Sequence, residues 1–140
     1  MDLGNSSKFE RVKMGEWKVG DSQFSAGLLW CVGIGAYREK DNLSALSHHP
    51  TEYELETLND FLESTDHETT RYVVAGGNRM PKDEVEIDEV VEERLNQASG
   101  EWKDYRIGEK DVYQHNLFVS NQSYIIKSPT DEIREDWESF

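Results

Sequence analysis

From Phe24 to Tyr37 the chain is rich in small and apolar residues, with glycine at 27, 33 and 35 and its single cysteine, Cys31, near the middle. Charged residues make up 31% of the whole chain, so an apolar run of this kind belongs inside. It reads as one or two buried strands around Cys31. Any fold for this chain must therefore be built around a β core at this segment.

The flanking sequence adds further elements. Val12, Met14, Trp17 and Val19 read as extended segments broken at Gly15. Leu43 to Ser47 is a short strand with His48 at its end. Pro50-Thr51 opens a helix, with Thr51 and Glu54 as a capping box and Leu55, Leu58, Phe61 and Leu62 as the apolar face. Arg71 to Ala75 is a buried strand that runs into Gly76-Gly77. A second helix starts near Asp83, which pairs with Glu86 as a capping box. Ile87, Val90, Val91 and Leu95 give its stripe, and Gly100 marks its end. Trp102–Ile107, Asp111–Val119 and Gln122–Lys127 are strand-like. Helices set between groups of strands predict an α+β fold, a layered α/β sandwich with a mixed sheet.

The chain has 140 residues, enough for one domain with a real core. We assign residues 1–127 to that domain and 128–140 to an acidic C-terminal tail, with residues 1–8 as a frayed start. In the tail, Ile133, Trp137 and Phe140 fall at helical spacing, so a short docking helix is the alternative. One cysteine excludes an internal disulfide and a multi-cysteine zinc site. No apolar stretch approaches the roughly 18 residues of a membrane span. The first eight residues lack the apolar core of a signal peptide. A cytoplasmic protein is expected. The net charge of −14 repels phosphate backbones and acidic membrane surfaces, so neither nucleic acid nor membrane is expected as a partner. The acidity fits either a surface adapted to high salt or a protein with a basic partner.

Cys31, His48 and Ser25 supply a thiol, an imidazole and a hydroxyl, the parts of a cysteine nucleophile. A thiol becomes useful at neutral pH when an imidazole takes its proton. Taken alone, a lone buried cysteine is more often a small hydrophobe. The glycines at 27, 33 and 35 favour the functional reading, because they let the backbone turn sharply and offer N–H groups to an oxyanion. His49 should point away from His48 if the segment is extended. Adjacent histidines rarely converge on one ion, so a metal site from Cys31, His48 and His49 is not expected. Gly33-Ile34-Gly35 lacks the third glycine and following helix of a dinucleotide loop. No cofactor is implied. Gly76-Gly77 implies a tight turn or a close backbone approach, with a plain turn the simpler reading. His67 and His115 belong to no visible constellation.

The segment Val12-Lys13-Met14-Gly15-Glu16-Trp17-Lys18-Val19, the run Ser25 to Gly35, Leu46-Ser47-His48 and Ala75-Gly76-Gly77-Asn78-Arg79-Met80 share an order and spacing with a known family. Together they resemble CheD, the chemoreceptor glutamine deamidase family of bacterial and archaeal chemotaxis. The family pattern is roughly T-x-G-L-G-S-C-V-G/A, then G-L-A/S-H with the histidine seventeen positions after the cysteine, then G-G-A/S/N-x-M. The match spans residues 12–80. It implies Cys31 as nucleophile, His48 as general base and Ser25 in place of the family threonine. It implies a substrate contact surface at Gly27, Trp30, Gly76, Gly77 and Asn78. The family fold is a layered α/β sandwich, also seen in the catalytic domain of cytotoxic necrotizing factor toxins. The expected activity is hydrolysis of a protein glutamine side chain to glutamate. A chemoreceptor-like protein would be the substrate and a CheC-like phosphatase the partner.

The sequence departs from the pattern at Leu29-Trp30, where the family has G-S, and it has no counterpart of a later G-G-x-x-G-R segment. A bulky Trp30 beside the nucleophile would narrow the cleft or displace an oxyanion donor. Two alternatives follow: a catalytically impaired binding module in a signalling complex, or a thiol hydrolase of another amide or an ester.

Overall fold

The computed structural model describes residues 9–28, 31–50, 55–77, 87–106, 115–127 and 137–140. Among these, the strands are β1 (Glu10–Arg11), β2 (Trp17–Val19), β3 (Ser22–Leu28), β4 (Val32–Arg38), β5 (Leu43–His49), β6 (Thr70–Gly76), β7 (Glu101–Arg106), β8 (His115–Ser120), β9 (Ser123–Lys127) and β10 (Glu138–Ser139). The helices are α1 (Leu55–Thr65) and α2 (Ile87–Gln97). The fold is α+β. Its strands divide between two five-stranded mixed sheets, ordered β1-β3-β8-β9-β10 and β2-β5-β4-β6-β7. Each sheet has a parallel pair, β1 with β3 and β6 with β7. The sequence predicts one mixed sheet. Pairing partners such as β3 and β8 lie far apart along the chain, and strand periodicity carries no information about them.

The side-chain alternation of β4 explains the layering. Val32, Ile34 and Ala36 face the helices, where they pack with Leu58 and Phe61 of α1 and Val91 and Leu95 of α2. Gly33 and Gly35 lie on the opposite face, against the other sheet. There Leu46, Val73 and Ala75 meet Leu28, Leu117, Val119, Tyr124 and Ile126. The glycines let the sheets approach. A Cβ at Gly35 would lie 2.9 Å from Val119 Cγ2, and one at Gly33 would crowd the Leu28 side chain. A third cluster, Phe9, Phe118 and Ile125, lies on the outer face of the first sheet.

Several boundaries differ from the sequence reading. The strand expected over Leu43 to Ser47 extends through both histidines to His49. Leu55, expected on the apolar face of α1, is 37% exposed. Both capping boxes, Thr51 with Glu54 and Asp83 with Glu86, lie outside the described residues, as do residues 1–8. Residues 137–140 do not trail as an acidic tail and do not form a docking helix. Glu138–Ser139 pairs with β9, Trp137 stacks on Phe9, and Phe140 is buried between the sheets. Burial of the Trp137 and Phe140 rings holds this stretch against the first sheet. Ile133 lies outside the described residues. Among the described residues, no helix is long and apolar enough to cross a membrane.

His49 faces α1, as its parity with His48 requires. It is fully buried, its ring lies 6.4 Å from that of Phe61, and its Nε2 is 2.8 Å from Ser47 Oγ. Burial, then the neighbouring His48, pushes its pKa from 6.5 down to about 3. The unfolded chain therefore takes up a proton below pH 6.5 that the folded chain refuses until about pH 3. Stability present above that window is lost as the pH falls through it, by about 1.4 kcal/mol per pH unit. The urea midpoint should fall between pH 6 and 5, and His49→Phe should flatten that fall.

Candidate active site

The site forms where the chain crosses from one sheet to the other. β1 belongs to the first sheet and β2 to the second, so residues 12–16 bridge them. Val12 N–H donates to Phe24 O of β3 at 2.9 Å. Gly15, in the left-handed region at φ 82°, donates its N–H to His48 O at 2.8 Å. His48 N–H donates in turn to Glu16 O at 3.0 Å. The crossing therefore holds both the N–H and the C=O of the histidine.

It also orients the imidazole. Ser25, on the inward face of β3, donates its hydroxyl proton to Val12 O at 2.9 Å. Ser25 Oγ lies 2.6 Å from His48 Nδ1. A serine hydroxyl has one proton, and here the Val12 carbonyl takes it. The hydroxyl must then accept from Nδ1–H, which leaves the lone pair of the ring on Nε2. That Nε2 is buried and has no hydrogen-bond partner among the described residues. His48 is held below its ordinary pKa, first by burial and also by Arg11, with the Val12 carbonyl acting in the opposite direction. The lowered pKa favours the neutral ring, the state in which an imidazole can accept a proton.

Cys31 precedes β4 and is half-buried. It packs against the inter-sheet cluster that contains Leu46. Cys31 stands just before the Val32–His49 pairing and packs on the inter-sheet side, the side that His48 faces, without a hydrogen bond to His48 Nε2. Its carbonyl is fixed by Gly77 N–H at 2.9 Å. Gly76 and Gly77 are both left-handed, at φ 78° and 68°. A Cβ on Gly76 would overlap the Cys31 carbonyl oxygen and crowd Leu28. The glycine pair is thus a close backbone approach to the cysteine segment, beyond the plain turn of the simpler reading.

Of the proposed contact residues, Trp30 and Asn78 lie outside the described residues, as does Leu29. The glycines do not offer free donors to an oxyanion, and the sequence expectation is corrected here. Gly33 and Gly35 lie inside β4, which is laddered on both sides. Gly27 N–H donates to Asn116 Oδ1 at 3.2 Å. Gly76 N–H donates to His115 Nδ1 at 3.1 Å, and Gly77 N–H is taken by Cys31 O.

His115 and Asn116 were not visible as site residues. They begin β8, and the pairing of Leu28 with His115 brings them to the site. No spacing in the sequence signals that pairing. His67 stays in a local turn, its Nδ1 bonded to Thr69. His48 and His49 diverge to opposite faces. Among the described residues, no three His, Cys, Asp or Glu side chains gather as a metal site.

Ser25→Ala should remove the hydroxyl partner of Nδ1–H, leaving only the Val12 carbonyl to hold the ring and loosening its tautomer and orientation. Thiol alkylation and any turnover should slow by about 10- to 100-fold. Ser25→Thr should keep both near the wild-type rate. Nitrogen-15 NMR of His48 reads the tautomer directly.

No protein-family model matches the chain, and comparison with curated proteins finds no match.

Proposed function

We propose that the chain is a cysteine hydrolase that converts protein glutamine side chains to glutamate, as the CheD family it resembles does. The observation that carries this reading is the 2.6 Å contact between Ser25 Oγ and His48 Nδ1, which together with the Ser25–Val12 hydrogen bond supports Nε2 as the base on the inter-sheet side, where Cys31 packs. The mixed fold of two helices and two mixed sheets is compatible with the layered sandwich that the resemblance implies.

In this reading, His48 Nε2 takes the Cys31 thiol proton. The sulfur attacks the γ-carboxamide carbon, and the carbonyl oxygen becomes an oxyanion. Collapse expels ammonia, protonated by the His48 imidazolium, and leaves a thioester. Water, deprotonated by His48, cleaves the thioester to glutamate and returns the thiol. The natural substrate is a chemoreceptor-like protein and the partner a CheC-like protein, both supplied by the resemblance.

A second reading has its own support. His48 is 6% exposed, and the N–H groups of Gly27, Gly76 and Gly77 are all engaged. A site closed in this way suits a binding module that has lost turnover. Iodoacetamide separates the two, because an activated thiol alkylates fast near about pH 6.5 and an inert one does not. Ammonia release is then followed with a panel of glutamine-bearing proteins and small amides. Release from proteins supports the deamidase. Release from small amides alone moves the activity to another thiol hydrolase. An unreactive thiol with no release overturns the enzyme.

A further inference from the structure

His115 and Asn116 open β8, and each reaches a glycine that flanks the cysteine segment. His115 Nδ1 accepts from Gly76 N–H at 3.1 Å, and Asn116 Oδ1 accepts from Gly27 N–H at 3.2 Å. Gly76 abuts the Cys31 carbonyl so closely that no Cβ fits, and Gly77 N–H bonds that carbonyl at 2.9 Å. On the other side, Gly27 sits at φ 73° in the irregular stretch of β3 between Ser25 and Leu28. From there the chain leaves the first sheet for β4 in the second. Two consecutive side chains of one sheet therefore hold the glycine corners on either side of Cys31. Both glycine N–H groups find side-chain acceptors, so the corners depend on the identity of those two residues.

We propose that His115 and Asn116 are positioning residues that fix Gly76 and Gly27 and thereby hold the Cys31 thiol in register with His48. The inference rests on the thiol-hydrolase reading, since it concerns the reactivity of that thiol. His115 acts as an acceptor through Nδ1, which requires its ring proton to reside on Nε2. An asparagine at 115 offers Oδ1 in the place of that nitrogen, whereas alanine offers nothing.

The test is the rate of iodoacetamide alkylation at Cys31, read by intact mass between about pH 5.5 and 8.5. The full chain is compared with His115→Ala, His115→Asn and Asn116→Ala, each checked for folding by circular dichroism. His115→Ala and Asn116→Ala should alkylate about tenfold more slowly, with a pH profile moved toward that of an unassisted thiol. His115→Asn should restore both rate and profile. A folded His115→Ala with the wild-type rate and profile overturns the inference, as does slowing that His115→Asn fails to restore. If His115→Ala does not fold, Asn116→Ala decides, and an unchanged profile there overturns the inference. A wild-type thiol no faster than free cysteine removes the enzyme reading, and this inference with it. A fast wild-type thiol indifferent to both variants removes the inference alone.

Discussion

Cys31→Ala should release no ammonia from any protein that the wild-type chain deamidates, while its fold persists. The sulfur is the atom that would form the thioester, and no other described side chain at the site can replace it. The side chain is half-buried and small, so its truncation leaves little cavity. His48→Ala should lower the rate by about 100- to 10,000-fold, the range of a positioned base. The double variant should be no worse than Cys31→Ala, because residues that act as one unit do not add. Ammonia release by a folded Cys31→Ala protein would remove the sulfur from the chemistry.

Gly76→Ala should be the most damaging of the glycine substitutions. A left-handed φ of 78° costs an alanine about 1–2 kcal/mol. Its Cβ would also overlap a backbone carbonyl, that of Cys31, which cannot swing aside as a side-chain tip can. Overpacking of this kind adds about 1–3 kcal/mol. Together they should lower the melting temperature by roughly 10 °C. Gly35→Ala is the informative contrast. Its new Cβ meets the ends of Val119, Val73 and Phe140, and its φ is not left-handed. It should cost less in stability and leave alkylation of Cys31 nearly unchanged. Equal melting temperatures for the two variants would refute the close-approach account of Gly76.

The legible parts of the fold were those encoded locally. Leu58 and Phe61 on α1 and Val91 and Leu95 on α2 declare themselves by helical spacing, and the helices form there. The divergence of His48 and His49 follows from strand parity alone. The pairing of Ser25 with His48 was suggested by residue type, and the structure brings the two within 2.6 Å. What was not legible depends on contacts between distant segments. Nothing near His115 announces that β8 will pair with β3. Nothing in an acidic C-terminal stretch announces that Phe140 will enter the inter-sheet core. The glycines at 33 and 35 suggest oxyanion donors by residue type, but their work is steric, since a Cβ there would meet Leu28 or Val119.

Ser25 and His48 belong to different sheets, joined beside the site by the crossing at residues 12–16. Their contact therefore closes only when the two halves of the sandwich are seated on each other. In mild denaturant, loss of thiol reactivity should precede loss of circular dichroism. The imidazole then serves as a built-in sensor of domain integrity, idle whenever the halves come apart.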